Sequence, residues 1–203
     1  MTIDSICYNC GLYKYSDNPQ IQGKGSDKPK LVLIGEAPGP DEAKQGEVFV
    51  GRAGKRLDKM IQPYLDLGIW ITNAVKCFPP ISINNPEKGF RVPKQSEIEY
   101  CSHLLWPELN LFNPTPVLMP MGNTALKAVF DNTNSKISSY IGYKFWCTVD
   151  NKTYTVIPNY HPSYTLRNPK MEQQFINVME MAKEYINANS GTASSRRHGR
   201  LSE

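Results

Sequence analysis

Three short runs in this chain are apolar with little polar interruption: LVLIG within Lys30–Gly35, Ile69–Val75 and Pro116–Met121. A strand that meets water on one face alternates apolar and polar residues, whereas a run that is apolar throughout is buried on both faces, as in a parallel sheet. A fourth strand candidate covers Thr153–Pro158. Helical periodicity fills the intervals at roughly 53–65, 95–111, 122–131 and 170–188. The expected fold is therefore α/β, three layers deep (α/β/α), around a central, mostly parallel sheet. One stretch departs from the alternation. YKFWCTVDNKTYTVIPNY holds two β-rich runs around Asp150-Asn151-Lys152 and reads as a hairpin whose second half feeds the sheet.

A chain of 203 residues with 40% hydrophobic content can bury one good core. A single domain over residues 1–187 is expected. The remainder, NANSGTASSRRHGRLSE from Asn187, is small, polar and basic, and 188–203 is expected to be a disordered tail. Its arginines supply part of the net charge of +4, so the body is only mildly basic, which permits nucleic-acid binding without demonstrating it. MTIDSICYNC lacks the basic and apolar regions of a signal peptide, and no apolar run is long enough to span a membrane. A cytoplasmic protein is expected, with no membrane partner. FPPISINNPEKGFRVPKQ, from Phe78 to Gln95, carries four prolines and no hydrophobic period, and reads as a long surface loop.

The cysteines are Cys7, Cys10, Cys77, Cys101 and Cys147. In an intracellular chain a C-x2-C pair such as CYNC points to a metal or cluster before a disulfide. One pair plus two lone thiols, Cys77 after a strand and Cys101 in a helix, fits a four-cysteine iron–sulfur site at least as well as zinc. The same pattern also fits two ordinary buried cysteines. Cys147, in the hairpin, reads as packing only.

The turn after the first strand, GEAPGPDEAKQGEVFVGRAG, invites a phosphate-loop reading, which fails on counting. Phe49 stands where the first glycine of G-x-x-x-x-G-K-[ST] belongs and Arg56 where the hydroxyl belongs. The dinucleotide fingerprint is absent too. What the turn does hold is Glu36 and Glu42 on either side of Pro-Gly, then Phe49 in a glycine-flanked segment. Carboxylates at a strand end can hold or polarise water, and a constrained Phe can offer its face to an aromatic ring. Asn73 ends the second strand and His161 follows the last. In a parallel sheet these ends share the rim where ligands bind.

Taken in order, C-x2-C at Cys7 and Cys10, GEAPG with Glu42 following, FVGRAG, TNAVKC, the helical Cys101 and HPS resemble the uracil-DNA glycosylase superfamily, specifically its iron–sulfur family 4 type. The resemblance covers nearly the whole chain up to the tail. It implies a four-stranded parallel sheet between helices and a [4Fe-4S] cluster on Cys7, Cys10, Cys77 and Cys101. The implied activity is a DNA-repair hydrolase, active as a monomer on single- or double-stranded uracil-containing DNA. Such an enzyme flips uracil out of the stack and cuts its N-glycosidic bond.

The roles that follow belong to that resemblance. Phe49 stacks on the base, Asn73 reads its N3–H and O4 edge, and His161 with the Glu36-Ala37 backbone meets charge growing on O2. Glu42 positions the water and Glu36 the network around it. Tyr164 or Leu166 is the wedge into the duplex, and Arg167 contacts phosphate, with Lys55, Arg56, Lys88, Arg91 and Lys94 as further phosphate candidates.

Two departures stand out. Family members commonly carry Arg-Pro before the stacking Phe, where this chain has Glu47-Val48, and the Cys77–Cys101 loop is longer than usual. A related branch traps DNA through a His in this region, and none occurs between Phe78 and Tyr100. Two rival readings remain: a non-catalytic DNA- or protein-binding module of the same fold, and a zinc-stapled nucleotide-binding protein.

Overall fold

Leu31, Val32, Leu33 and Ile34 are fully buried, so both faces of the strand they form are covered. The computed structural model describes residues 3–82, 84–85, 88–130 and 136–190. Its strands are β1 (Lys24–Gly25), β2 (Leu31–Gly35), β3 (Ile69–Asn73), β4 (Val117–Pro120), β5 (Phe145–Val149) and β6 (Lys152–Val156). They form one sheet in the order β1-β3-β2-β4-β6-β5. The four inner strands β3, β2, β4 and β6 run parallel, as expected. Two antiparallel edge strands, β1 and β5, extend the expected four strands to six. Neither edge was legible as part of the sheet: β1 is two residues long, and β5 comes in with its hairpin. Asp150 and Asn151, with φ of 49° and 62°, make the tight two-residue turn that fits the twist of a hairpin.

The helices are α1 (Cys7–Cys10), α2 (Pro40–Gln45), α3 (Arg52–Ile61), α4 (Gln95–Asn110), α5 (Asn123–Val129), α6 (Pro162–Arg167) and α7 (Met171–Ser190). Side chains of successive strand residues point to opposite faces. Leu31 and Leu33 accordingly pack with Leu57 and Met60 of α3 and Phe175 and Val178 of α7. Val32 and Ile34 pack on the other face with Leu105 and Leu109 of α4 and Ala125 and Val129 of α5. Each such fully buried side chain contributes about 1.5–3 kcal/mol of transfer free energy, which is why these two layers fix the sheet's orientation. Helix α7 runs through Ser190, past the expected start of the tail at 188. The rest of that tail, residues 191–203, lies outside the described residues. No helix among the described residues is long and apolar enough to cross a membrane.

The chain leaves β2 for β3 on one side and returns to β4 on the other. The carboxyl end of β2 is therefore the point where strand order reverses, and in open α/β sheets a crevice opens there. Gly35 and Glu36 sit at that point.

Beside β3 lies a buried ion pair. Lys76 is fully buried and its Nζ donates to Glu108 Oε2 and Thr72 Oγ1. Glu108 also accepts from Trp70 Nε1 (2.8 Å), the Gly23 amide (3.0 Å) and Thr72 Oγ1 (3.1 Å). Every oxygen of the carboxylate is thus occupied, the condition under which a buried charge is tolerated.

Candidate active site and cysteine cavity

Two hydrogen bonds beyond the β2–β3 ladder, Ala74 N–H to Gly35 O (2.9 Å) and Val75 N–H to Glu36 O (3.0 Å), zip the strand ends together. They hold Asn73 directly beside Gly35. Asn73 is 2% exposed, yet its amide makes no side-chain hydrogen bond among the described residues. Buried polar groups are almost always paired, so an unpaired one facing a cavity is a place for a ligand's polar edge.

That cavity is a cleft of about 960 Å³ at the carboxyl rim of the sheet. Glu36, Ala37, Glu42, Phe49, Asn73 and His161 all line it, as do Tyr164, Leu166 and Arg167. The structure therefore brings together every residue that the sequence suggested for base recognition and chemistry.

Phe49 has φ of 54°, a conformation that a bulky side chain rarely adopts. Its backbone presses on Gly54, where a Cβ would come within 1.8 Å of the Phe49 carbonyl oxygen. The FVGRAG segment is thus a tight turn that only a glycine at 54 permits, and it aims the Phe49 ring into the cleft. The ring centroid lies 5.9 Å from that of His161, with the planes 31° apart.

His161 is the N-cap of α6. Its Nδ1 accepts the Ser163 amide (3.2 Å) and lies 2.8 Å from Ser163 Oγ. An Nδ1 that accepts a backbone N–H carries no proton, so in the neutral ring the hydrogen belongs on Nε2. Burial, and after it the Arg167 guanidinium, holds the His161 pKa down at about 4. The imidazole is therefore neutral near pH 7, a donor through Nε2. Asn159 fixes the approach to it, donating to Phe175 O (3.1 Å) and accepting from the Tyr160 amide (2.8 Å).

The two glutamates differ in their surroundings. Glu42 accepts the Gly39 amide on Oε2 and the Gly51 amide on Oε1, each at 3.0 Å. It closes the first turn of α2 and ties that helix to the start of α3. Glu36 accepts one bond, from Thr124 Oγ1 on Oε2, and its other oxygen has no partner among the described residues. Burial raises the Glu36 pKa, and the Thr124 bond works against the rise.

The phosphate candidates separate by whether their charge is already matched. Arg56 pairs with Glu172 of α7, and Arg91 forks onto Glu97 at 2.7 and 2.8 Å, so neither cation is available as expected. Lys55, Lys88 and Lys94 are exposed and lie outside the cleft lining. Arg52 and Lys136 line the cleft, are exposed and make no ion pair among the described residues, and sequence reasoning missed both. Arg52 was within reach, as the first helical residue after a glycine turn at the rim. Lys136 had no local signal. Glu47 is not a cleft residue: it pairs with Lys24 at 2.5 Å, and Val48 is fully buried in the core.

A second, smaller cavity is ringed by Cys7, Cys10, Cys77 and Cys101. All five cysteines are free thiols, and Cys147 lies apart, packed with Phe145 against the α4–α5 face of the core. Cys7 and Cys10 stand three apart on the single turn of α1, hence on one face. Three N–H groups point at the ring's sulfurs: Gln20 Nε2 to Cys7 (3.0 Å), the Gln20 amide to Cys77 (3.3 Å) and the Lys76 amide to Cys101 (3.1 Å). Burial pushes the Cys77 thiol up to about 11 and Cys101 up to about 12, so these groups become thiolates only against a bound cation. Among the described residues, no three His, Cys, Asp or Glu side chains close on one point as ligands of a single ion do. The four thiols line one small cavity, with N–H donors directed at three of their sulfurs.

Comparison with known proteins adds to this geometry. The family model described as the Uracil DNA glycosylase superfamily matches residues 22–183. The chain is 34% identical over 186 residues to the type-4 uracil-DNA glycosylase of Sulfurisphaera tokodaii, covering 87% of this chain and 80% of that protein. It is 35% identical over 187 residues to the type-4 enzyme of Thermotoga maritima, covering 89% of each. With the type-4 enzyme of Archaeoglobus fulgidus it shares 34% over 177 residues, 83% of this chain and 82% of the relative.

Proposed function

The chain belongs to the uracil DNA glycosylase superfamily, and from that premise we propose that it is a DNA-repair hydrolase that flips uracil out of DNA and cuts its N-glycosidic bond, leaving an abasic site. The observation that carries this reading is the buried, unpartnered amide of Asn73, set in one cleft with the Phe49 ring and the neutral His161.

A base lifted from the stack would lie against Phe49. Asn73 would accept N3–H through its side-chain oxygen and donate its N–H to O4. Cytosine presents the reverse pattern on that edge and would leave two buried polar groups unpaired. As the glycosidic bond breaks, negative charge gathers on the pyrimidine, and His161 Nε2–H is the donor assigned to O2. Water completes the reaction: its oxygen bonds to C1′, one of its protons passes to a carboxylate, and the uracil anion leaves through N1.

The free oxygen of Glu36 and the raised pKa of its carboxyl favour Glu36 as that base. Glu42, with both oxygens on backbone amides, is better suited to holding the turn. This division reverses the expectation drawn from the sequence. Tyr164 and Leu166, 38% and 39% exposed at the cleft mouth, are suited to fill the gap left by the base.

The four-thiol cavity fits a [4Fe-4S] cluster on Cys7, Cys10, Cys77 and Cys101. Bound there it would tether the N-terminal turn to the exit of β3 and to α4, and no step of the hydrolysis needs it. Action on DNA in the cytoplasm or nucleoid, as a monomer, completes the reading.

Purified protein incubated with a uracil-containing oligonucleotide should yield strand breaks after alkali, and His161→Ala or Asn73→Ala should lose most of that activity. Uracil-DNA binding by the wild type with no abasic site formed would favour the binding-module alternative.

A further inference from the structure

The segment after β3 brings a second set of apolar side chains to the cleft that α6 also lines. Pro80 and Phe90 face each other in an antiparallel bridge. Ile81 N–H to Gly89 O (3.0 Å) and Arg91 N–H to Pro79 O (2.9 Å) close it. The Arg91–Glu97 fork then fastens the residue after Phe90 to the first turn of α4. Phe90 and Val92 line the cleft, yet they are 51% and 65% exposed. Tyr164 and Leu166, which line the same cleft, are exposed as well.

Several apolar side chains exposed together around one cleft mark an interaction surface. The charges around it say what kind. Arg52, Lys136 and Arg167 line the same cleft, are exposed and form no ion pair among the described residues. A partner with regularly spaced anions and flat apolar faces matches both features, which is the chemistry of a nucleic-acid strand with its bases unstacked.

We infer that Phe90 is a stacking platform for the base adjacent to the flipped uracil on the same strand. This inference rests on the glycosylase reading and extends it to substrate choice. A neighbouring base is free to leave its stack in single-stranded DNA and held in duplex, so Phe90 biases the protein toward single-stranded uracil DNA.

The test uses full-length protein with wild type, Phe90→Ala and Phe90→Trp. For a single-stranded uracil oligonucleotide, Phe90→Ala should raise KM roughly tenfold, in line with the loss of one base–aromatic stack. Its kcat should stay within about twofold, and Phe90→Trp should restore KM. On duplex substrate the change in KM should be much smaller. In parallel, an oligonucleotide carrying uncleavable 2′-fluoro-deoxyuridine next to 2-aminopurine reports stacking directly. Binding to wild type should quench the fluorophore, and binding to Phe90→Ala should not.

Because the side chain is exposed, the variants should keep the wild-type unfolding temperature. Equal KM and equal quenching in wild type and Phe90→Ala would overturn the inference. Failure of wild type to release uracil would instead overturn the glycosylase reading, and the fluorescence experiment would still decide the stacking.

Discussion

A Cβ placed on Gly35 would stand 2.3 Å from Asn73 Oδ1, so the last residue of β2 and the last residue of β3 share a space that admits one side chain only. The same Cβ would stand 2.5 Å from Phe49 Cζ. Gly35 is not in a left-handed conformation, so its role is close approach. Gly35→Ala is therefore expected to push the Asn73 amide or the Phe49 ring out of place by several tenths of an ångström or more. Misplacement on this scale costs on the order of 100-fold in rate. Uracil release should fall by about that factor while thermal unfolding shifts by only a few degrees.

The pH dependence has two parts. The His161 pKa is lowered to about 4 from an ordinary 6.5, so as pH falls through 6.5 the unfolded chain takes up the proton first. Stability is full above pH 6.5 and is lost between there and about pH 4, by on the order of 2–3 kcal/mol. Urea unfolding of wild type and His161→Gln across that range should show a steeper acid loss in the wild type.

With Glu36 as the proposed base, the acid limb of kcat/KM should follow its carboxyl, whose pKa burial raises. Thr124 opposes that rise through its hydrogen bond. Thr124→Val should therefore move the limb to higher pH, while the alkaline side of the profile stays where it is. A limb that does not move would transfer the base role away from Glu36.

Gln20 donates twice into the thiol ring, once from its side chain to Cys7 and once from its backbone to Cys77. Gln20→Leu keeps the backbone bond and removes the other. Outer partners of metal ligands are worth about 10- to 100-fold in retention, so iron content after exposure to a chelator should fall by about tenfold against wild type. Anaerobic absorbance near 400 nm follows that loss directly. Uracil release measured before the chelator is added should be close to normal.

Removing one member of the Lys76–Glu108 pair strands the other charge in the core, at a cost of about 3–5 kcal/mol. In Lys76→Met, Glu108 would keep the Trp70, Thr72 and Gly23 donors but lose its cation. Combined with Glu108→Leu, the loss should be partly recovered. Chemical denaturation of the single and double variants measures the difference.

These sites also mark where sequence reasoning reaches its limit. LVLIG announced a strand buried on both sides because continuous apolarity has few other uses in a chain this size. Glu36, Asn73 and His161 could be placed on one rim because parallel strands end on one side. Lys76 and Glu108 could not be paired, since each alone is an ordinary surface charge and their meeting depends on α4 crossing β3. Phe90 was hidden for the opposite reason: in a proline-rich stretch without period, nothing distinguishes a packed aromatic from one held in water. Arg56 and Arg91 read as phosphate contacts until their carboxylate partners, from α7 and α4, came into view. Local pattern locates elements, and the pairing of charges is settled by the packing between them.

The ring of four thiols joins residues about ninety positions apart along the chain. During synthesis at roughly 5–20 residues per second, Cys7 and Cys10 leave the ribosome on the order of 5–20 s before Cys101 does. For that interval the CYNC turn has its two thiols and none of its partners. It is then exposed to oxidants and to stray metal ions in a way the finished protein is not. The CYNC turn is in this sense made well before it is secured, and the yield of protein carrying the proposed cluster should depend on how well the cell keeps these two thiols reduced while the rest of the sheet is built.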